Sequence, residues 1–197
     1  QRIFAHYFGS SGEGDAFSAA FRIPNFLQNV FGEGALSASF IPVYAKLLAQ
    51  DDEKEAARVA NAIFGILAIL IATIAGFAFG AAYYISLSKP WLAAIGKTKE
   101  EISAEGKGSP MPFIVSIVAL AIMAWVLAGG IAHLGPGQGT LRNGIVSALF
   151  MWLGFVITTM AVNNAFGQRK ASLTIIDGIH WLGVLVIQGA IIGAMGV

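Results

Sequence analysis

Residues 59–88 contain no charged side chain, and the pattern recurs three times. Residues 108–141 carry His133 as their single ionisable group, residues 143–168 carry none, and residues 178–197 carry His180 alone. An α-helix rises about 1.5 Å per residue, so about 20 apolar residues cross a hydrocarbon core ~30 Å thick. Four such segments predict an all-α, multi-pass transmembrane bundle. A water-soluble bundle would need a polar face on each helix, and these stretches offer none. With 56% hydrophobic and 12% charged residues, the chain is not a disordered segment. A net charge of +1 gives no reason to expect a nucleic-acid partner. The absence of cysteine removes disulfides, iron–sulfur clusters and thiolate-bound zinc. His6, His133 and His180 lie far apart, so neither a metal nor a cofactor is expected.

The spans are expected at residues 60–87, 112–134, 144–166 and 173–196. Tyr83 and Tyr84 are placed as an aromatic belt at one membrane surface. Residues 89–108 form the longest hydrophilic connection, with a short surface helix over 98–105. Residues 133–143 and 167–171 read as tight turns, and Thr140 is placed to cap the third span. Such short connections favour antiparallel neighbours.

Residues 1–50 read differently, with apolar runs broken by glycine and by Pro24 and Pro42. A helix end over 2–8, a glycine turn and a kinked helix over 16–48 are expected, with kinks at both prolines. The total is about five or six membrane helices. The chain opens on Gln1 with no positive leader, so a processed or truncated N-terminus is expected. Basic residues give a weak orientation signal: Lys89, Lys97, Lys99, Lys107, Arg169 and Lys170 against Lys46, Lys54, Arg58 and Arg142. That bias places the 89–108 connection in the cytoplasm and the 51–58 turn outside.

A charge in mid-bilayer costs about 2.5–3.5 kcal/mol on insertion scales, so Arg22 and Glu33 are expected to face protein or a polar cavity. Asp177 and His180, three apart, share one helix face and have the elements of a proton relay. A position in the first turn or so of the span, with the helix dipole and hydrated headgroups nearby, accounts for both without a relay. That is the reading adopted. Gly76–Gly80 (GFAFG) and Gly189–Gly193 (GAIIG) are GxxxG pairs that let another helix approach closely. No nucleophile–base or paired-carboxylate arrangement stands out, so an enzyme is not expected. From these residues the leading expectation is a non-catalytic accessory or structural subunit of a larger membrane complex, photosynthetic or respiratory for example. Its partners would be lipids and other membrane subunits. A small proton-coupled carrier or channel using Asp177 and His180 is an alternative.

The run DAFSAAFRIPNFLQNVFGEGALSASFIPVYA, within residues 14–67, resembles the second-helix region of the MurJ/MviN lipid II flippases. The resemblance implies inner-membrane transport of a polyprenyl-pyrophosphate-linked precursor through a cationic cavity. It also implies the reverse orientation for the 51–58 turn. Asp15 and Glu33 match acidic positions of that family, and with Arg22 they form the candidate lipid-carrier cavity. Gln28 and Asn29 stand where better-known members carry arginine, and the arginines of the family's first helix would lie upstream of Gln1. From residue 71 onward, HLGPGQGTLRNG, WLGFVITTMAVNNAFGQRK and IDGIHWLGVLVIQGAIIG resemble the bacterial four-helix family called domain of unknown function 1761. The two resemblances divide the chain into 1–66 and 67–197. They imply a bacterial inner-membrane protein and make flippase-type transport the alternative to an accessory role.

Overall fold

A computed structural model describes residues 35–106 and 109–196. Asp15, Arg22, Glu33 and most of the kinked helix expected over 16–48 lie outside the described residues. The described chain is helical throughout, and the bundle class expected from the uncharged stretches is what is observed. Among the described residues four helices are long and apolar enough to span a bilayer: Glu53–Ser86, Met111–Ala132, Leu141–Phe166 and Ala171–Ala194.

The chain divides into two compact units, Gln1–Ala60 and Asn61–Val197. In the first, α1 (Ala35–Ala49) keeps Pro42 inside a continuous helix, and Phe40 stacks on Tyr44 with ring centroids 5.3 Å apart. A turn with Asp51 at φ 54° follows. Asp52 then caps α2 (Glu53–Ser86) by accepting the Glu55 N–H at 3.2 Å. The division between the units falls inside α2.

The second unit continues along α2 into α3 (Ser88–Ile95), a short helix not expected from the sequence. Pro90 lies in its first turn, and Gly96 ends it in the left-handed conformation at φ 73°. A proline near the start and a glycine just past the end are the local signal that marks it. In α4 (Lys99–Gly106) Thr98 and Glu101 form a reciprocal capping box: Glu101 N–H donates to Thr98 Oγ1 at 3.2 Å, and Thr98 N–H donates to Glu101 Oε2 at 2.8 Å. The second span is α5 (Met111–Ala132). The third is α6 (Leu141–Met151), capped by Thr140, then a π-helical stretch (Trp152–Ile157) and α7 (Thr158–Phe166). The fourth is α8 (Ala171–Ala194).

Each short connection reverses direction, so α8 runs antiparallel to α2 and α6. It is also the hub, packing most extensively on α6 and then on α5, with α3 against its first half. The core is small-residue rich: Ala72, Ala124, Leu127, Ala128, Ile131, Ala148, Leu185 and Ile192. Large apolar side chains point outward, with Phe166 88%, Ile85 75% and Phe155 74% exposed. Such a surface suits an apolar surrounding such as lipid.

The α6–α8 seam is the tightest contact. A Cβ built on Gly144 would collide with the carbonyl of Gly189, one on Gly189 with the carbonyl of Gly144, and one on Gly193 with the carbonyl of Thr140. Thr140, Gly144 and Ala148 on α6 thus meet Gly189 and Gly193 on α8 with backbone touching backbone, as small-xxx-small faces allow.

Candidate functional site

α2 and α8 meet differently, through polar and aromatic side chains. α2 brings Phe79, Tyr83 and Tyr84 to the level where α8 carries Asp177, His180 and Trp181. Tyr84 donates its hydroxyl proton to Asp177 Oδ1 at 2.8 Å, and Tyr83 donates to the carbonyl of Ile176 at 2.9 Å. Trp91 of α3 packs edge-on against Tyr84, with centroids 5.7 Å apart, and approaches the same carboxylate.

His180 lies at the centre. Its ring is 4.7 Å from that of Tyr84, 4.9 Å from Trp181, 5.6 Å from Tyr83 and 6.2 Å from Phe79, where the planes are 11° apart. Glycines make the room. A Cβ at Gly80 would stand 2.8 Å from His180 Nε2, and one at Gly183 would strike the ring of Phe79. Each helix therefore offers a glycine to the other's ring. On the far side, Trp152 at the start of the π-helical stretch donates its indole N–H to the Gly178 carbonyl at 2.8 Å. Ile157, at the end of that stretch, fills the space a Cβ of Gly178 would need. The wider turns of the π-helix bring both side chains to one glycine.

The first-turn placement expected for Asp177 and His180 is not what the structure shows. α8 begins at Ala171, so Asp177 lies ~9 Å and His180 ~14 Å along it. His180 is 7% exposed, enclosed by rings and not by headgroups. No hydrogen bond joins Asp177 to His180 among the described residues, and Tyr84 touches both. Tyr83 and Tyr84, assigned to an aromatic belt, turn their hydroxyls into the bundle. The Gly76–Gly80 pair accommodates side chains of α8, namely Gln188, Val184 and His180. The Gly189–Gly193 pair lies on the backbone of α6.

Polar contacts also fix the surroundings. Lys170 donates to the carbonyl of Ala93 at 2.6 Å, tying α3 to the start of α8. Asn164 donates to Thr174 Oγ1 at 2.9 Å, tying α7 to the same region. An interhelical hydrogen bond in a membrane is worth about 0.6–1.7 kcal/mol, so Tyr84→Phe should destabilise the unit by that amount. Asp177→Asn combined with Tyr84→Phe should cost little more than Tyr84→Phe alone, because the contact is then already lost. Denaturant unfolding followed by circular dichroism in detergent checks both.

Sequence comparison gives two family matches. Residues 4–105 match the family described as lipid II flippase MurJ, and residues 67–193 match a protein family of unknown function, DUF1761. A probable lipid II flippase MurJ of Aquifex aeolicus is 31% identical over 179 residues, covering 88% of this chain and 32% of that protein. A probable lipid II flippase MurJ of Rhizobium meliloti is 26% identical over 231 residues, covering 99% of this chain and 42% of that protein. A lipid II flippase MurJ of Thermosipho africanus is 41% identical over 69 residues, covering 35% and 14%. The chain thus spans about a third to two fifths of the length of the first two relatives. No solved structure matches it.

Proposed function

The chain belongs to the lipid II flippase MurJ family through residues 4–105 and to the DUF1761 family through residues 67–193, and on that premise we propose that it takes part in moving a lipid-linked, pyrophosphate-bearing precursor across a bacterial inner membrane. The observation that carries this reading is the flippase match, which includes the FRIPN, GEGALS and FIPVYA segments. The relatives described above are named as transporters and not as enzymes. An accessory subunit, the role that composition favoured, finds no support in those names.

Chemistry assigns the roles. An anionic headgroup crossing hydrocarbon needs charge-assisted hydrogen bonds, which a guanidinium supplies in pairs. Arg22 would contact the pyrophosphate. Asp15 and Glu33 would be the acidic residues of the same site. Membrane lipids would be the immediate partners, and the 61–197 unit would anchor this segment in the bilayer.

Complementation tests the proposal. Expressed in a bacterium depleted of its own lipid II flippase, the chain is expected to restore growth, and Arg22→Ala or Glu33→Ala to abolish that rescue at equal membrane abundance. A chain that inserts normally and restores no growth would remove the reading.

A further inference from the structure

Two buried side-chain atoms among the described residues have no hydrogen-bond partner, His180 Nδ1 and Gln188 Oε1. Both belong to α8, on side chains whose nitrogens His180 Nε2 and Gln188 Nε2 lie against glycines of α2. His180 lies against Gly80. A Cβ at Gly76 would stand 3.4 Å from Gln188 Nε2, the nitrogen that donates to the Leu120 carbonyl at 3.0 Å. The two residues are about two turns apart on one side of α8, with Val184 between them and also against Gly76. Thr73 falls on the same side of α2 as Gly76 and Gly80, is 5% exposed, and gives its hydroxyl proton to the carbonyl of Ile69. Asp177 and Tyr84 stand at one end of the line.

The buried polar side chains among the described residues, Thr73, His180 and Gln188, therefore collect on one seam. Unpaired amide oxygens and imidazole nitrogens are costly to bury in hydrocarbon, and proteins usually satisfy them with water. Ionisable side chains within a membrane likewise face other protein groups or a water-filled space. The two seams of α8 also differ in how they resist separation. Against α6 the backbones interlock at Gly144, Gly189 and Gly193, whereas against α2 the contact is made by side chains and not by backbone.

We propose that the α2–α8 seam is a water-entered path, running from Asp177 and Tyr84 past His180 to Gln188, ~26 Å along α8. Water satisfies His180 Nδ1 and Gln188 Oε1 when α2 moves away from α8, while α5, α6 and α8 stay together. The path lies within residues 61–197 and does not depend on which lipid, if any, the chain moves.

The chain has no cysteine, so single cysteines report without background. Val184→Cys places a thiol on the path and Ala124→Cys places one in the apolar core; both parent residues are 0% exposed. The full chain in proteoliposomes is treated with methanethiosulfonate ethylammonium, which forms a mixed disulfide and releases methanesulfinate. Val184→Cys should react on the order of ten times faster than Ala124→Cys, as expected where local opening is easier. Adding Gly76→Ala, whose Cβ fits at 3.4–3.5 Å from its neighbours, should slow the reaction by filling the path. Thr73→Cys provides the same comparison from the α2 side and decides the matter if Val184→Cys does not fold. Equal rates on the path and in the core would overturn the proposal.

Discussion

Gly144→Leu is expected to prevent the four-span unit from assembling. The Cβ of any residue at 144 falls on the carbonyl of Gly189, and that carbonyl belongs to a helix backbone that has no rotamer to escape into. Relief requires moving α8 away from α6, which also breaks the contacts at Gly193 and Ala148. Overpacking with a backbone shift costs about 1–3 kcal/mol, and more where, as here, backbone meets backbone. That is a large part of a total stability of about 5–15 kcal/mol. Gly154→Leu is the control, because a Cβ at Gly154 meets nothing and the position faces lipid. Unfolding in detergent, followed by loss of helical circular dichroism, should show Gly144→Leu far less stable than Gly154→Leu. Equal stabilities would mean that the two backbones do not touch.

Gly80→Val should produce the second large loss, and one that can be reversed. The added Cβ stands 2.8 Å from His180 Nε2. A histidine tip can usually swing aside, but this ring is hemmed in by Phe79, Tyr83, Tyr84 and Trp181. The cost is about 1–3 kcal/mol. His180→Ala opens the space, so the double variant should be more stable than the sum of the two single changes implies, by about 1–2 kcal/mol. Strict additivity in the same unfolding assay would show that the two residues do not meet.

The four spans are legible because hydrocarbon thickness imposes a length and a near-absence of charge that no folded context can hide. Thr140 is equally plain, since its hydroxyl accepts from Asn143 N–H three residues away. The candidate site is harder to read. Tyr84 and Asp177 are 93 residues apart, and helical spacing reports only neighbours on one helix. Periodicity places Asp177 beside His180 but is silent on the tyrosines that meet them. A glycine pair says that something comes close, not what: at Gly76 and Gly80 it is side chains, at Gly189 and Gly193 a backbone. The π-helical stretch leaves no mark in a sequence as apolar as WLGFVI. α3 was signalled by Pro90 and Gly96, but its position inside a hydrophilic connection concealed it.

Because α8 is the hub, order of synthesis acquires a physical meaning. The ribosome makes α2, α5 and α6 before α8, which each of them touches. Each earlier span closes its own backbone hydrogen bonds and is stable alone in lipid, and α5 and α6 also touch each other, so only their contacts to α8 must wait. The polar atoms waiting with them are few, because Asp177, His180 and Gln188 arrive on the late helix. The contacts centred on α8 therefore form last, after α8 has left the insertion machinery. A ribosome stalled before residue 171 would hold inserted helices that lack every contact made by α8.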